Sequence, residues 1–236
     1  MKKTVYTLSV DNYRADITSI TFPAMQAWAD KIGANFHIIS ERKFPNYPAP
    51  CEKLQIYDLS AVHNNDWNIF LDADCLVHPD FFDPTALLQK DTVMFAAFDL
   101  APVRFKTNEW YQRDGRHIGI GNWFAVASNW CRDLWKPLEE PPEELVKNIQ
   151  VTNWEHSKGM DNMHLLDDYT LSCNISRYGL KTKSLASIFN EYSSKPDRYQ
   201  LTSPKDYLFH DYGIPHNQRA AVLSKIADGW ISTNKS

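Results

Sequence analysis

From Lys3 to Val10 apolar and polar side chains alternate in a segment rich in Thr, Val and Tyr, which predicts a β-strand broken by Asp11-Asn12-Tyr13. Ile17, Ile20, Ala24, Met25, Trp28 and Ile32 then recur at helical spacing, and Gly33 follows as the residue that leaves the helix. Asn35–Ser40 reads as a second strand. Pro45, Pro48 and Pro50 mark a loop, after which Leu54, Tyr57, Leu59 and Val62 predict an amphipathic helix over Cys51–Val62. Trp67–Leu71 is a short, largely apolar run between polar residues, the pattern of a strand buried on both faces of a parallel sheet. Strand–helix–strand–helix–strand is the order of an open α/β sheet with right-handed crossovers.

Beyond this unit the periodicity is weaker. Thr92–Phe98 and Trp123–Ser128 read as strands, and Leu100–Gly121 between them as a long polar loop. Residues 137–150 form an acidic, Pro-punctuated connection with some helical character. Leu165–Tyr178 predicts a helix that opens on Asp167-Asp168 and ends at Gly179, and Lys183–Phe189 a last strand. From Lys195 onward the chain reads as an irregular polar tail. No repeat or linker divides it, so the expectation is one α/β domain with a mixed, mostly parallel sheet flanked by helices.

Composition narrows the function. Lys and Arg number 25 against 29 Asp and Glu, a net charge of −4, so there is no strong nucleic-acid signature. No run approaches the length of a membrane span. The N-terminus carries no apolar stretch of the signal-peptide kind, and cysteines 51, 75, 131 and 173 form no C-x-x-C pair. Reduced thiols and a cytoplasmic location are the expectation. With 8 glycines in 236 residues the chain holds no Gly-rich phosphate loop.

Candidate chemistry centres on Asp72-Ala73-Asp74, directly after the Trp67–Leu71 strand. Strands of open α/β sheets present their C-terminal ends to the ligand crevice. Two carboxylates converging there repel unless a cation lies between them, and Mg²⁺ or Mn²⁺ takes such oxygen ligands while keeping positions open for substrate phosphates. A strand ending in a polar turn with two solvated aspartates has the same D-x-D signature.

The stretch from Glu52-Lys53-Leu54 through Asp66-Trp67-Asn68-Ile69-Phe70-Leu71-Asp72-Ala73-Asp74-Cys75-Leu76-Val77 resembles the core of nucleotide-sugar-dependent glycosyltransferases of the GT-A fold. Val10-Asp11-Asn12-Tyr13 is similar to the nucleobase loop of the retaining lipopolysaccharide galactosyltransferase and glycogenin-like group. Phe209-His210-Asp211-Tyr212-Gly213 resembles that group's H-x-x-G. The resemblance implies a Rossmann-like domain whose residues 1–80 bind the nucleotide and whose residues 81–236 supply the acceptor side and a C-terminal metal ligand. It implies a nucleoside diphosphate sugar as donor, a hydroxyl acceptor (a glycan, a protein, a lipid-linked sugar or a modified nucleobase) and transfer with retention.

Carried over residue by residue, it implies a metal set of Asp72, Asp74 and His210, with Asp72 also turned toward the ribose or sugar. Asp11 and Tyr13 flank the nucleobase and ribose, Lys53 meets a phosphate or another part of the donor, and Asp167 and Asp168 stand at the reacting sugar. Where the group's pattern continues H-x-x-G-x-x-K, this chain has His216, so either Arg219 three residues on makes that phosphate contact or none does. Trp110, in the polar loop, is a candidate platform for an acceptor sugar.

Other classes share parts of this signature. In a haloacid-dehalogenase-like phosphatase Asp72 would be the covalent nucleophile and Asp167-Asp168 a later metal pair. Against that reading, the motif follows two strand–helix units and Leu76 stands where Thr or Val is expected. A non-catalytic sugar-nucleotide-binding module and a nucleotidyltransferase are further readings, the latter disfavoured by the missing Gly-rich loop.

Overall fold

Lys3–Leu8 forms β1 and is buried along its whole length, because helices cover both faces of the sheet to which it is central. The computed structural model describes residues 1–96, 122–149, 151, 156, 159, 161–185, 207–210 and 214–233. α1 (Ala15–Lys31) follows, burying Ile17, Thr21, Met25, Trp28 and Ala29 on one stripe. Gly33, at φ 66°, turns the chain out of the helix into β2 (Asn35–Ile39). A 3₁₀ turn over Ala49–Gln55 runs into α2 (Ile56–Val62), so the single helix expected over Cys51–Val62 is tight in its first half. Pro48 and Pro50 fix that entry. β3 (Trp67–Leu71) is buried throughout, as its apolar run requires.

β4 (Cys75–Val77), β5 (Thr92–Phe95), β6 (Phe124–Ser128), α3 (Pro142–Asn148) and α4 (Leu166–Tyr178) come next, with β7 (Lys181–Ser184) beyond Gly179, which has φ 60°. The main sheet has the order β2-β1-β3-β6-β5-β7. β1 pairs in parallel with β2 and β3, and β5 with β7, while β6 runs antiparallel to both neighbours. Successive residues of β1 and β3 feed opposite layers: Val5, Ile69 and Leu71 pack with Met25 and Trp28 of α1, whereas Tyr6 and Phe70 pack with Leu54, Ile56 and Leu171.

Where the segment expected to be an irregular tail is described, it is regular over two stretches. β8 (Leu208–His210) pairs antiparallel with β4, and α5 (Arg219–Thr233) packs on α1. Ala220, Leu223, Ile226, Ala227 and Trp230 recur at helical spacing and close a third cluster with Ile17 and Leu76. Burial of that stripe is what makes the tail helical. The polar loop with Trp110, most of the strand expected at 183–189, and Asp211 and Gly213 lie outside the described residues.

Candidate active site and metal centre

β1 and β3 are parallel neighbours, so the Asp11–Tyr13 loop after β1 and the Asp72–Asp74 turn after β3 leave the sheet at the same edge. The Asp72 N–H donates to the Trp123 carbonyl at 2.8 Å, and the Cys75 N–H donates to the Asp72 carbonyl at 3.0 Å, closing a tight turn. Between the two aspartates, the Ala73 carbonyl accepts a 2.6 Å bond from the buried Thr21 hydroxyl of α1. The turn is therefore held from the sheet and from the helix.

The turn leads into β4, whose Cys75 stands opposite His210 of β8. This pairing brings His210 Nε2 to 3.4 Å from Asp74 Oδ1, while Arg219 Nη1 lies 3.5 Å from Asp74 Oδ2. Arg219 Nε donates to the Ile214 carbonyl at 3.0 Å, which orients the guanidinium. The His210 ring lies flat on Trp123, with centroids 5.1 Å apart and planes 4° from parallel. Ligand atoms of Asp74, Cys75 and His210 all lie within 4.8 Å of one another.

A second cluster adjoins the first through Asp72. Lys53 is fully buried, its Nζ 2.8 Å from Asp167 Oδ2, 3.4 Å from Asp72 Oδ1 and 4.5 Å from the centre of the Phe70 ring. Burial alone pulls the Lys53 pKa down, but the facing carboxylates of Asp167 and Asp72 more than reverse this, and it stands above the ordinary lysine value. Burial pushes Asp72 up, opposed by Lys53 and reinforced by Asp74. Asn122 Nδ2 donates to Asp167 Oδ2 at 2.7 Å, and the Asp168 N–H donates to Asp167 Oδ1 at 2.9 Å. Asp167 is thus buried in the cluster, while Asp168 is half-buried at its side in the first turn of α4.

The loop after β1 holds Asp11 and Asn12 in the left-handed conformation, each with φ 55°, which these residue types tolerate better than most. Asp11 Oδ2 accepts from Arg42 Nη1 at 2.6 Å. Arg42 Nε lies 3.0 Å from the fully buried Glu52, which also accepts from the N–H groups of Lys43 and Phe44 at 2.9 Å each. Tyr13 is half-buried against the third cluster. At the position where a lysine was expected, the His216 carbonyl accepts from Arg14 Nη1 at 2.6 Å.

Five residues of this arrangement escaped the sequence reading: Asn122, Trp123, Cys75, Arg42 and Glu52. Asn122 and Trp123 had one signal, their place directly before the apolar run of β6. Glu52 and Cys75 lay inside the quoted stretch but were given no role there, and Arg42 had no signal, because its partnership with Glu52 spans a proline-rich loop.

No family model matches the chain, and no curated protein does. Among solved structures, the chain is similar to a glycosyltransferase involved in the glycosylation of the major capsid of PBCV-1, at 10% identity over 95% of this chain and 100% of that one, with a TM-score of 0.50. It is also similar to an active-site mutant of LgtC, at 13% identity over 96% of this chain and 95% of the other, with a TM-score of 0.57. These matches span nearly the whole chain. Its single α/β domain, with a six-stranded, mostly parallel sheet between helices, is GT-A-like.

Proposed function

We propose that this protein is a metal-dependent glycosyltransferase that moves a sugar from a nucleoside diphosphate donor to a hydroxyl acceptor with retention. The observation that carries the reading is the junction at Asp72 and Asp74: a carboxylate–imidazole pair on one side and a buried Lys53–Asp72–Asp167–Asn122 cluster on the other, on a GT-A-like sheet. Retention rests on the likeness of Asp11-Asn12-Tyr13 and His210 to the motifs of the retaining group.

A Mn²⁺ ion fits the donor set, because Asp74 Oδ1 and His210 Nε2 converge to 3.4 Å and offer it one oxygen and one nitrogen ligand, whereas Mg²⁺ would rest on the carboxylate oxygens alone. Asp74 and His210 would hold it, with Asp72 next to them. When bound, the metal supplies Lewis-acid stabilisation of the departing nucleoside diphosphate. The other roles fall to the chain itself. Lys53 fixes Asp72 and Asp167 side by side, so that their carboxylates meet donor hydroxyl groups without reorganising. Asp11, clamped by Arg42, faces the base, and Asp168 stands beside the sugar end.

The test is a panel of nucleotide sugars incubated with the protein and Mn²⁺, with donor hydrolysis and product anomer followed by NMR. Donor consumption with a retained anomer that disappears in Asp74→Ala supports the reading. Turnover that persists in Asp74→Ala or with chelator overturns the site, and an inverted product moves Asp168 into the role of general base.

A further inference from the structure

The geometry points to Cys75 as a third protein ligand that makes this centre a tight site for a borderline-soft ion, Zn²⁺ above all. Cys75 faces His210 across the β4–β8 pair, so their side chains are immediate cross-strand neighbours. Its sulfur lies within 4.8 Å of both the Asp74 carboxylate and the His210 imidazole. A tetrahedral zinc ion with bonds of about 2.0–2.3 Å spaces its ligands roughly 3.3–3.6 Å apart. His210 Nε2 and Asp74 Oδ1 already stand at that spacing, 3.4 Å, and the thiol, within 4.8 Å of both, reaches it by a shift of at most roughly 1.5 Å. Cys75 Sγ now donates weakly to the Trp123 carbonyl at 3.6 Å, a contact exchanged without disturbing the backbone turn.

Two features reinforce the assignment. Asp72, the other carboxylate of the motif, is paired with Lys53 at 3.4 Å, and the compact trio of ligand atoms is Asp74, Cys75 and His210. Trp123 stacks on His210 and its carbonyl accepts from the Cys75 thiol, so one residue positions two of the three ligands. Mixed N, O and S donors favour zinc over the hard ions, and the affinity order of divalent ions runs the same way. On ligation the thiol proton passes to solvent.

The trio stands on its own geometry; its consequence for turnover rests on the function proposed above. Three protein ligands leave a tetrahedral ion one open position, whereas chelation of a diphosphate takes two. Zinc held by Cys75 is therefore an inhibitory occupant that competes with Mn²⁺, and the reduced thiol at position 75 makes the enzyme zinc-sensitive.

The experiment uses the full chain and the metal alone. One equivalent of Co²⁺ should give a thiolate-to-metal charge-transfer band in the near ultraviolet. That band should vanish in Cys75→Ser and Cys75→Ala, and in His210→Ala, which leaves all four thiols in place. Calorimetry should show Zn²⁺ affinity falling by roughly tenfold or more in the Cys75 variants, with Mn²⁺ affinity held within about twofold. Absence of the band from the wild-type protein overturns the assignment whether or not the variants fold. Survival of the band in His210→Ala, or unchanged Zn²⁺ affinity in a folded Cys75 variant, does so too. None of these readings depends on nucleotide binding, so failure here is separate from failure of the glycosyltransferase reading.

Discussion

Lys53 Nζ stands 2.8 Å from Asp167 Oδ2 in full burial, joining the 3₁₀ turn before α2 to the first turn of α4. The same ammonium reaches Asp72 at the end of β3. One cation thereby ties together three elements far apart in sequence and holds two carboxylates where they otherwise repel. The pair is a device for placing charge, since a buried ion pair adds little net stability over apolar packing.

Removing the cation should be costly. Lys53→Met leaves Asp72 and Asp167 facing each other in a poorly solvated pocket. The expected loss is about 3–5 kcal/mol, a fall in Tm of roughly 6–20 °C for a domain of this size. Thermal melts followed by circular dichroism check it, and a Tm within a degree or two of wild type contradicts the account.

The pH dependence of that variant has a defined sign. Asp72 already titrates above the ordinary carboxylate range because of burial, and Lys53 is the group that pulls it down. Without Lys53 it rises further. A carboxyl whose folded pKa exceeds its unfolded value of about 3.9 binds its proton more tightly when folded, so stability falls as pH climbs from the unfolded value through the folded one. Lys53→Met should therefore recover stability relative to wild type as pH is lowered from 7 toward 5. Urea midpoints across that range measure it, and a constant or widening gap speaks against burial of the two carboxylates.

Much of this was legible in advance. The buried run of β3 and the periodicity of α1 made the N-terminal half of the fold readable, because each element's own pattern matches its environment. Asp72, Asp74 and His210 were readable as types at marked positions. The partners that define their chemistry were not. Lys53 looks like a solvated charge on an amphipathic helix, and only the crossing of α4 over the 3₁₀ turn buries it between carboxylates. Leu223 and Trp230 carried a helical signal, but the polar residues between them, Ser224, Lys225 and Asp228, masked it until α1 supplied the covering face.

Arg42 joins the Asp11–Tyr13 loop, which the proposed function assigns to the nucleobase, to the core, and on that proposal its loss should be read in nucleotide affinity. Its Nη1 holds Asp11, its Nε faces buried Glu52, and its Nη2 donates to the Phe44, Pro45 and Tyr47 carbonyls. Arg42→Met should weaken binding of a nucleoside diphosphate about tenfold, near 1.4 kcal/mol, with Mn²⁺ affinity unchanged. Arg42→Lys should fail to restore it, because a single ammonium cannot span two carboxylates and three carbonyls. Calorimetric titrations with diphosphate and with metal alone separate these effects. Full recovery in the lysine variant would show that charge, not the fork, is what matters.

Leu223 tests whether α5 is structural to the proposed metal centre. It is fully buried on α5 against Ile17 of α1 and Leu76 of β4, the strand that pairs with the one carrying His210. Leu223→Ala should cost about 2–5 kcal/mol by leaving a cavity in this small cluster. Because α5 also carries Arg219 to Asp74, the loss should include looser metal binding. A saturating ion at about 100 times its Kd adds roughly 2.7 kcal/mol to the protein that binds it. The same Mn²⁺ concentration should therefore raise the melting temperature of Leu223→Ala by less than that of wild type. Equal metal-induced shifts, with the destabilisation present, would separate the helix from the centre and leave it a packing element only.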